Sequence, residues 1–85
     1  MQVRVVSRQE LAERIQRKIS YHRMFLARLD LSITVREMHE HALERLETDL
    51  ASVRRGWRPI HPSALLYQHE ILAPTEEEHA SFLMV

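Results

Sequence analysis

With 85 residues and no cysteine, the chain has room for one domain and lacks both the disulfide and the zinc-thiolate routes to reinforcing a small fold. A closed catalytic cavity is hard to build at this size, and a formal net charge of zero excludes the basic excess typical of non-specific nucleic-acid binders. The charge is nevertheless sorted along the chain: eight cations (Arg4, Arg8, Arg14, Arg17, Lys18, Arg23, Arg28, Arg36) face three carboxylates up to residue 36, and four cations face nine carboxylates from Glu37 onward. Either the basic half folds against the acidic half, or one of them meets a partner of opposite sign.

Residues 1–8 hold no apolar core of signal-peptide length, and no run approaches the roughly 18 apolar residues of a membrane span. The expectation is a cytoplasmic protein of prokaryotic or phage-like style, without membrane association. Ser7-Arg8-Gln9-Glu10 is a capping box that should start a helix. Ala12, Ile15, Ile19, His22, Leu26 and Leu29 recur behind it at spacings of three and four, which predicts a first helix over about 8–29.

Leu29 to Arg36 then alternates apolar and polar residues, the pattern of a half-buried strand. A strand at 29–36 followed by helix, loop and helix would give the outline of a ribbon-helix-helix DNA-binding dimer, and this is the alternative fold. The favoured reading takes Thr34-Val35-Arg36-Glu37 as a second capping box, stapled by Ile33 and Met38. It opens a second helix over about 35–55, with Val35, His39, Leu43, Leu46, Leu50 and Val53 as its seam. Gly56, the only glycine, falls where a left-handed C-terminal cap is wanted. Two such helices make an antiparallel hairpin.

Residues 56–62 read as a linker, because Pro59 and Pro62 bias their predecessors away from helix. Residues 63–73, with Ala64, Leu65, Leu66, Tyr67, Ile71 and Leu72, are apolar enough for a short third helix stopped by Pro74. Thr75 to Glu78 reads as a further capping box leading into an apolar C-terminal helical turn, so 75–85 is acidic and then apolar. The expected architecture is a single, mainly α domain over 1–85.

No catalytic constellation is present. The serines lie in cap or helix contexts without a glycine-framed elbow, and one glycine cannot build a phosphate-cradling loop; the expectation is a protein that is not an enzyme and needs no cofactor. His22 and His39 fall in facing seams, where they could form a pH-sensitive joint or, with His41, offer nitrogens to a metal. Glu37, Glu40, His41 and Glu44 share part of a helix surface, but a solvated acidic face is the commoner meaning of such a run, so no metal is assigned.

The basic face of the first helix, Arg8, Arg14, Arg17, Lys18 and Arg28, suits a phosphate backbone, with intramolecular pairing as its plainer use. Trp57 is the only tryptophan and sits in the linker among arginines. Tryptophan and arginine are enriched where interface energy concentrates, so Arg54, Arg55, Trp57 and Arg58, together with the apolar tail residues Phe82 and Leu83, form the favoured protein-binding set. The functional expectation is a small regulator, inhibitor or adaptor that occludes or recruits a partner protein, such as a larger cellular complex; its seams could equally join two copies into a homodimer. The alternative is a dimeric DNA-binding transcriptional regulator.

Overall fold

A computed structural model describes residues 2–61 and 65–74. The chain is mainly helical, in the order β1 (Arg4–Val6), α1 (Arg8–Leu26), α2 (Ile33–Arg54) and β2 (Glu70–Leu72). The predicted C-terminal helical turn, the capping box at Thr75 to Glu78 and the residues Phe82 and Leu83 lie outside the described residues.

α1 begins at the predicted serine, whose hydroxyl accepts the Glu10 N–H at 3.1 Å. Only half of the capping box forms, because the Glu10 carboxylate turns instead to Arg4 at 2.7 Å and Arg14 at 3.4 Å. α1 ends at Leu26 rather than Leu29. No glycine closes it; the guanidinium of Arg36 reaches across from α2 and donates to the carbonyls of Leu26 (3.2 Å) and Arg28 (2.9 Å), placing a cation at the negative end of the helix.

α2 starts two residues earlier than expected. Its cap is Ser32, whose hydroxyl accepts the Val35 N–H at 3.2 Å, so the alternation from Leu29 to Arg36 is a loop followed by a helical first turn. The strand at 29–36, and with it the ribbon-helix-helix outline, is overturned. Once the serine satisfies an amide that the helix start leaves open, residues 33–36 gain intrahelical bonds, which two-residue periodicity cannot outweigh.

The helices pack antiparallel: His22 meets His39, Arg23 meets Glu47 at 3.0 Å, and Arg8 at the start of α1 reaches Trp57 beyond the end of α2. The basic half therefore folds against the acidic half. Exposed pairs of this kind are worth about 0–1 kcal/mol each, enough to bias orientation but not to hold the fold.

The third helix expected over 63–73 is not what residues 65–74 form. A turn in which the Glu70 N–H donates to the Tyr67 carbonyl at 3.0 Å leads into β2, which runs parallel to β1 with Arg4 opposite Glu70, Val5 opposite Ile71 and Val6 opposite Leu72. The Glu70 carboxylate fixes this arrangement by accepting the Tyr67 N–H at 2.9 Å and both terminal nitrogens of Arg14 at 2.7 Å. Val5, Val6 and Ile71 are β-branched and fit a pleated surface better than a short helix.

The core gathers Val6, Leu11, Ile15, Ile19, Leu46, Val53, Leu65 and Leu72. All belong to the half of the hairpin covered by the strand pair and the returning chain. The far half, from Ser20 to Glu44, buries no side chain fully, and Leu29, expected in the seam, is 98% exposed.

Candidate functional site

The linker is held at three points. Gly56 has a φ of +84°; with the Gly56 N–H on the Val53 carbonyl at 3.1 Å and the Trp57 N–H on the Ser52 carbonyl at 2.9 Å, the end of α2 is a Schellman motif. Downstream, Asp49 accepts the N–H groups of Ile60 (2.7 Å) and His61 (3.3 Å) on one carboxylate oxygen, and the His61 Nδ1 lies 3.1 Å from the other. From α1, Arg8 donates to the Trp57 carbonyl at 2.8 Å. Pro59 is buried beneath this turn.

The backbone of Trp57 is thus fixed while its indole faces outward, 58% exposed. The guanidinium of Arg55 lies 5.5 Å from the ring centroid, in range for a cation–π contact, and Arg54 and Arg58 flank it as exposed cations. Arg8, which the sequence placed in the phosphate-contacting set, belongs structurally to the Trp57 surface.

The other residues of that set lie apart, Arg14, Arg17 and Lys18 on α1 and Arg28 beyond its end. Arg14 is 12% exposed in a two-bond fork with Glu70, which is 6% exposed. The Arg14 hydrogen bonds, aided by the Tyr67 N–H and working against burial, hold the Glu70 carboxyl down at about 2; reciprocally, Glu70 raises the Arg14 pKa. Arg14 also donates to the Leu65 carbonyl at 3.2 Å and lies 5.1 Å from the Tyr67 ring centroid. Arg28 pairs with Asp30 at 3.1 Å, and its hydrogen bonds lower the Asp30 pKa. Arg17 and Lys18 line a cleft with Tyr21, Leu66 and Tyr67.

His22 and His39 do meet, Nδ1 to Nδ1 at 2.8 Å, so one ring must present a bare nitrogen to the N–H of the other. Burial first, then the positive charge of His39 and Lys18, lowers the His22 pKa. The His39 ring stacks on Phe25 at 4.8 Å and 10°. His41, Glu37, Glu40 and Glu44 are exposed, and among the described residues no three metal-binding side chains converge.

The residues that sequence reasoning missed are those that position the site. Asp49 is 1% exposed and stands three residues after Leu46 and four before Val53; a carboxylate on the apolar stripe of a helix was the available signal. Glu70 carried no such signal, because its role depends on Arg14, 56 positions away.

No protein-family model, curated protein or solved structure matches the chain.

Proposed function

We propose that the chain is a non-enzymatic protein-binding module of the cytoplasm, a regulator, inhibitor or adaptor that acts by occluding or recruiting its partner through the surface of Trp57, Arg54, Arg55 and Arg58. The observation that carries this reading is a tryptophan whose backbone is fixed by the Schellman motif, by Arg8 and by the adjoining Asp49 clamp, while its ring stays 58% exposed beside Arg55. Exposing a large apolar ring is unfavourable. Holding it still lowers the ordering cost of binding, and such rings with neighbouring arginines concentrate affinity in interfaces. The arginines would steer an acidic partner and fix its orientation, with the indole supplying the apolar anchor.

The test is capture from a nuclease-treated lysate of the source cell, comparing wild type with the double variant Trp57→Ala, Arg58→Ala. Retention of one protein by wild type and its loss with the variant supports the module. Equal retention by both removes Trp57 from the interface, and recovery of nucleic acid that moderate salt releases would replace the reading with a DNA-binding one.

A further inference from the structure

Among the described residues, the face of the hairpin that is covered near its base is uncovered toward its tip. Beside the His61 and Leu65 side chains lies a cleft walled by Lys18 and His22 of α1 and by Ala42, Arg45 and Leu46 of α2. Helical spacing extends this face distally: Tyr21 and Phe25 stand three and seven residues beyond Lys18, and Met38 and Val35 stand four and seven before Ala42. Tyr21 packs on Phe25 at 4.8 Å and Phe25 on His39 at 4.8 Å, so the aromatic side chains form one connected floor. Tyr21 is nevertheless 52% exposed, Met38 66% and Val35 37%.

The rim identifies the occupant. Arg17 and Arg45 stand along the two clefts of this face and make no ion pair among the described residues. Of the carboxylates around it, Asp49 is engaged by the linker and Asp30 by Arg28, whereas Glu13 shares a separate cleft with Arg17 on the outer side of α1, so Arg45 carries the cationic rim most clearly. The acids of α2, Glu37, Glu40, Glu44 and Glu47, fall by helical spacing on the side of the helix opposite Ala42. A symmetric second copy would set cationic rim against cationic rim, which disfavours self-pairing here.

We infer that this distal groove is a second docking surface whose occupant is an acidic amphipathic helix of another protein. Its apolar residues at i, i+3, i+4 and i+7 would lie on Tyr21, Phe25, Val35 and Met38, with its carboxylates on Arg17 and Arg45. From Met38 to Arg54 the helix rise separates this groove from the Trp57 surface by about 24 Å, so the hairpin would act as a spacer between two partners. The proposal adds a site to the protein-binding reading and does not use Trp57.

The experiment measures, by fluorescence anisotropy, binding of two labelled synthetic helical peptides to the full chain. Both carry leucines at i, i+3, i+4 and i+7; one has glutamates at the other positions and the other has lysines. The expected result is that the glutamate peptide binds at least about tenfold tighter than the lysine peptide. Met38→Asp and Arg45→Glu should each weaken it by about tenfold, and Trp57→Ala should leave it unchanged. Equal binding of the two peptides, or indifference to both groove variants, overturns the proposal. So does sedimentation as a dimer that Met38→Asp dissociates, which assigns the face to a second copy, or peptide binding that appears only when residues 75–85 are deleted, which assigns it to the chain's own acidic tail. Loss of glutamate-peptide binding in Trp57→Ala would place the peptide on the other surface. Failure of the lysate capture with intact peptide binding would remove the Trp57 reading alone.

Discussion

The carboxylate of Asp49 accepts the backbone N–H of Ile60 at 2.7 Å, eleven residues further along the chain, and this bond turns the linker back along α2. Because Asp49 is 1% exposed, water cannot substitute for the linker amides. Replacing it with alanine removes a charge-assisted bond and leaves the Ile60 and His61 N–H groups to find new partners, a loss of about 1–3 kcal/mol. Urea denaturation should show the midpoint falling accordingly, with a change in Trp57 emission in the folded baseline. An unchanged midpoint would mean the clamp contributes nothing.

Gly56 adopts a φ of +84°, and a Cβ placed there would touch nothing within 4 Å. Gly56→Ala therefore carries only the backbone cost of a left-handed residue, about 1–2 kcal/mol. The loss should appear in thermal melts, and Gly56→Asn should lose less, since asparagine tolerates that conformation. Equal losses in the two variants would point to a packing role instead.

Acid stability should depend on Glu70. Its carboxyl titrates at about 2 in the fold against an ordinary 4.5, so the unfolded chain binds the proton first as the pH drops. The stabilisation is fully present above pH 4.5 and is lost as pH falls from there toward 2. Glu70→Gln should be less stable than wild type at neutral pH, and its stability should fall less steeply over that window in chemical denaturation. Parallel curves for the two proteins would contradict the Arg14–Glu70 fork.

His22 acts in the neighbouring pH range. Its pKa is lowered from 6.5 by burial, by His39 and by Lys18, while Arg45, Asp49 and His61 line the same cleft. The folded state again binds the proton less readily than the unfolded chain, so this contribution is complete above 6.5 and declines as pH falls through the lowered value. Between pH 7.5 and 5 wild type should lose more stability than His22→Leu, and the His22 ring signal should titrate below 6.5 by NMR. A midpoint above 6.5 would reverse the sign.

Burial separates two leucine-like positions that periodicity treats alike. Ile15, fully buried, should lose about 2–5 kcal/mol on truncation to alanine. Leu29, 98% exposed, should change stability by no more than about 0.5 kcal/mol on the same truncation. Urea midpoints of the two variants decide it.

The helices were legible because their signals are local. Ser7 caps where the capping box placed it, the 3.6-residue stripe located Ile15, Ile19, Leu46 and Val53, and the lone glycine marked the end of α2. Thr34 lost the second cap to Ser32 because both precede the same apolar run, and only the bond to the Val35 N–H distinguishes them. The strand pair was not legible: each strand has three residues, and their pairing depends on Glu70 meeting Arg14 and on Arg4 reaching it from the far end of the chain. Of the candidate site, composition identified Trp57 and its arginines. What holds them, Asp49 and Arg8, rests on contacts spanning 11 and 49 positions, which one-dimensional patterns do not encode.

The central claim is that Trp57 contacts a partner protein, and it is tested most directly by replacing that residue with the photo-crosslinking amino acid p-benzoylphenylalanine and irradiating the source cells. Position 57 should give one protein adduct of defined mass that resists nuclease and is absent when the same group stands at the exposed Glu13 position. No adduct at 57, the same adduct from both positions, or an adduct that nuclease destroys would contradict it.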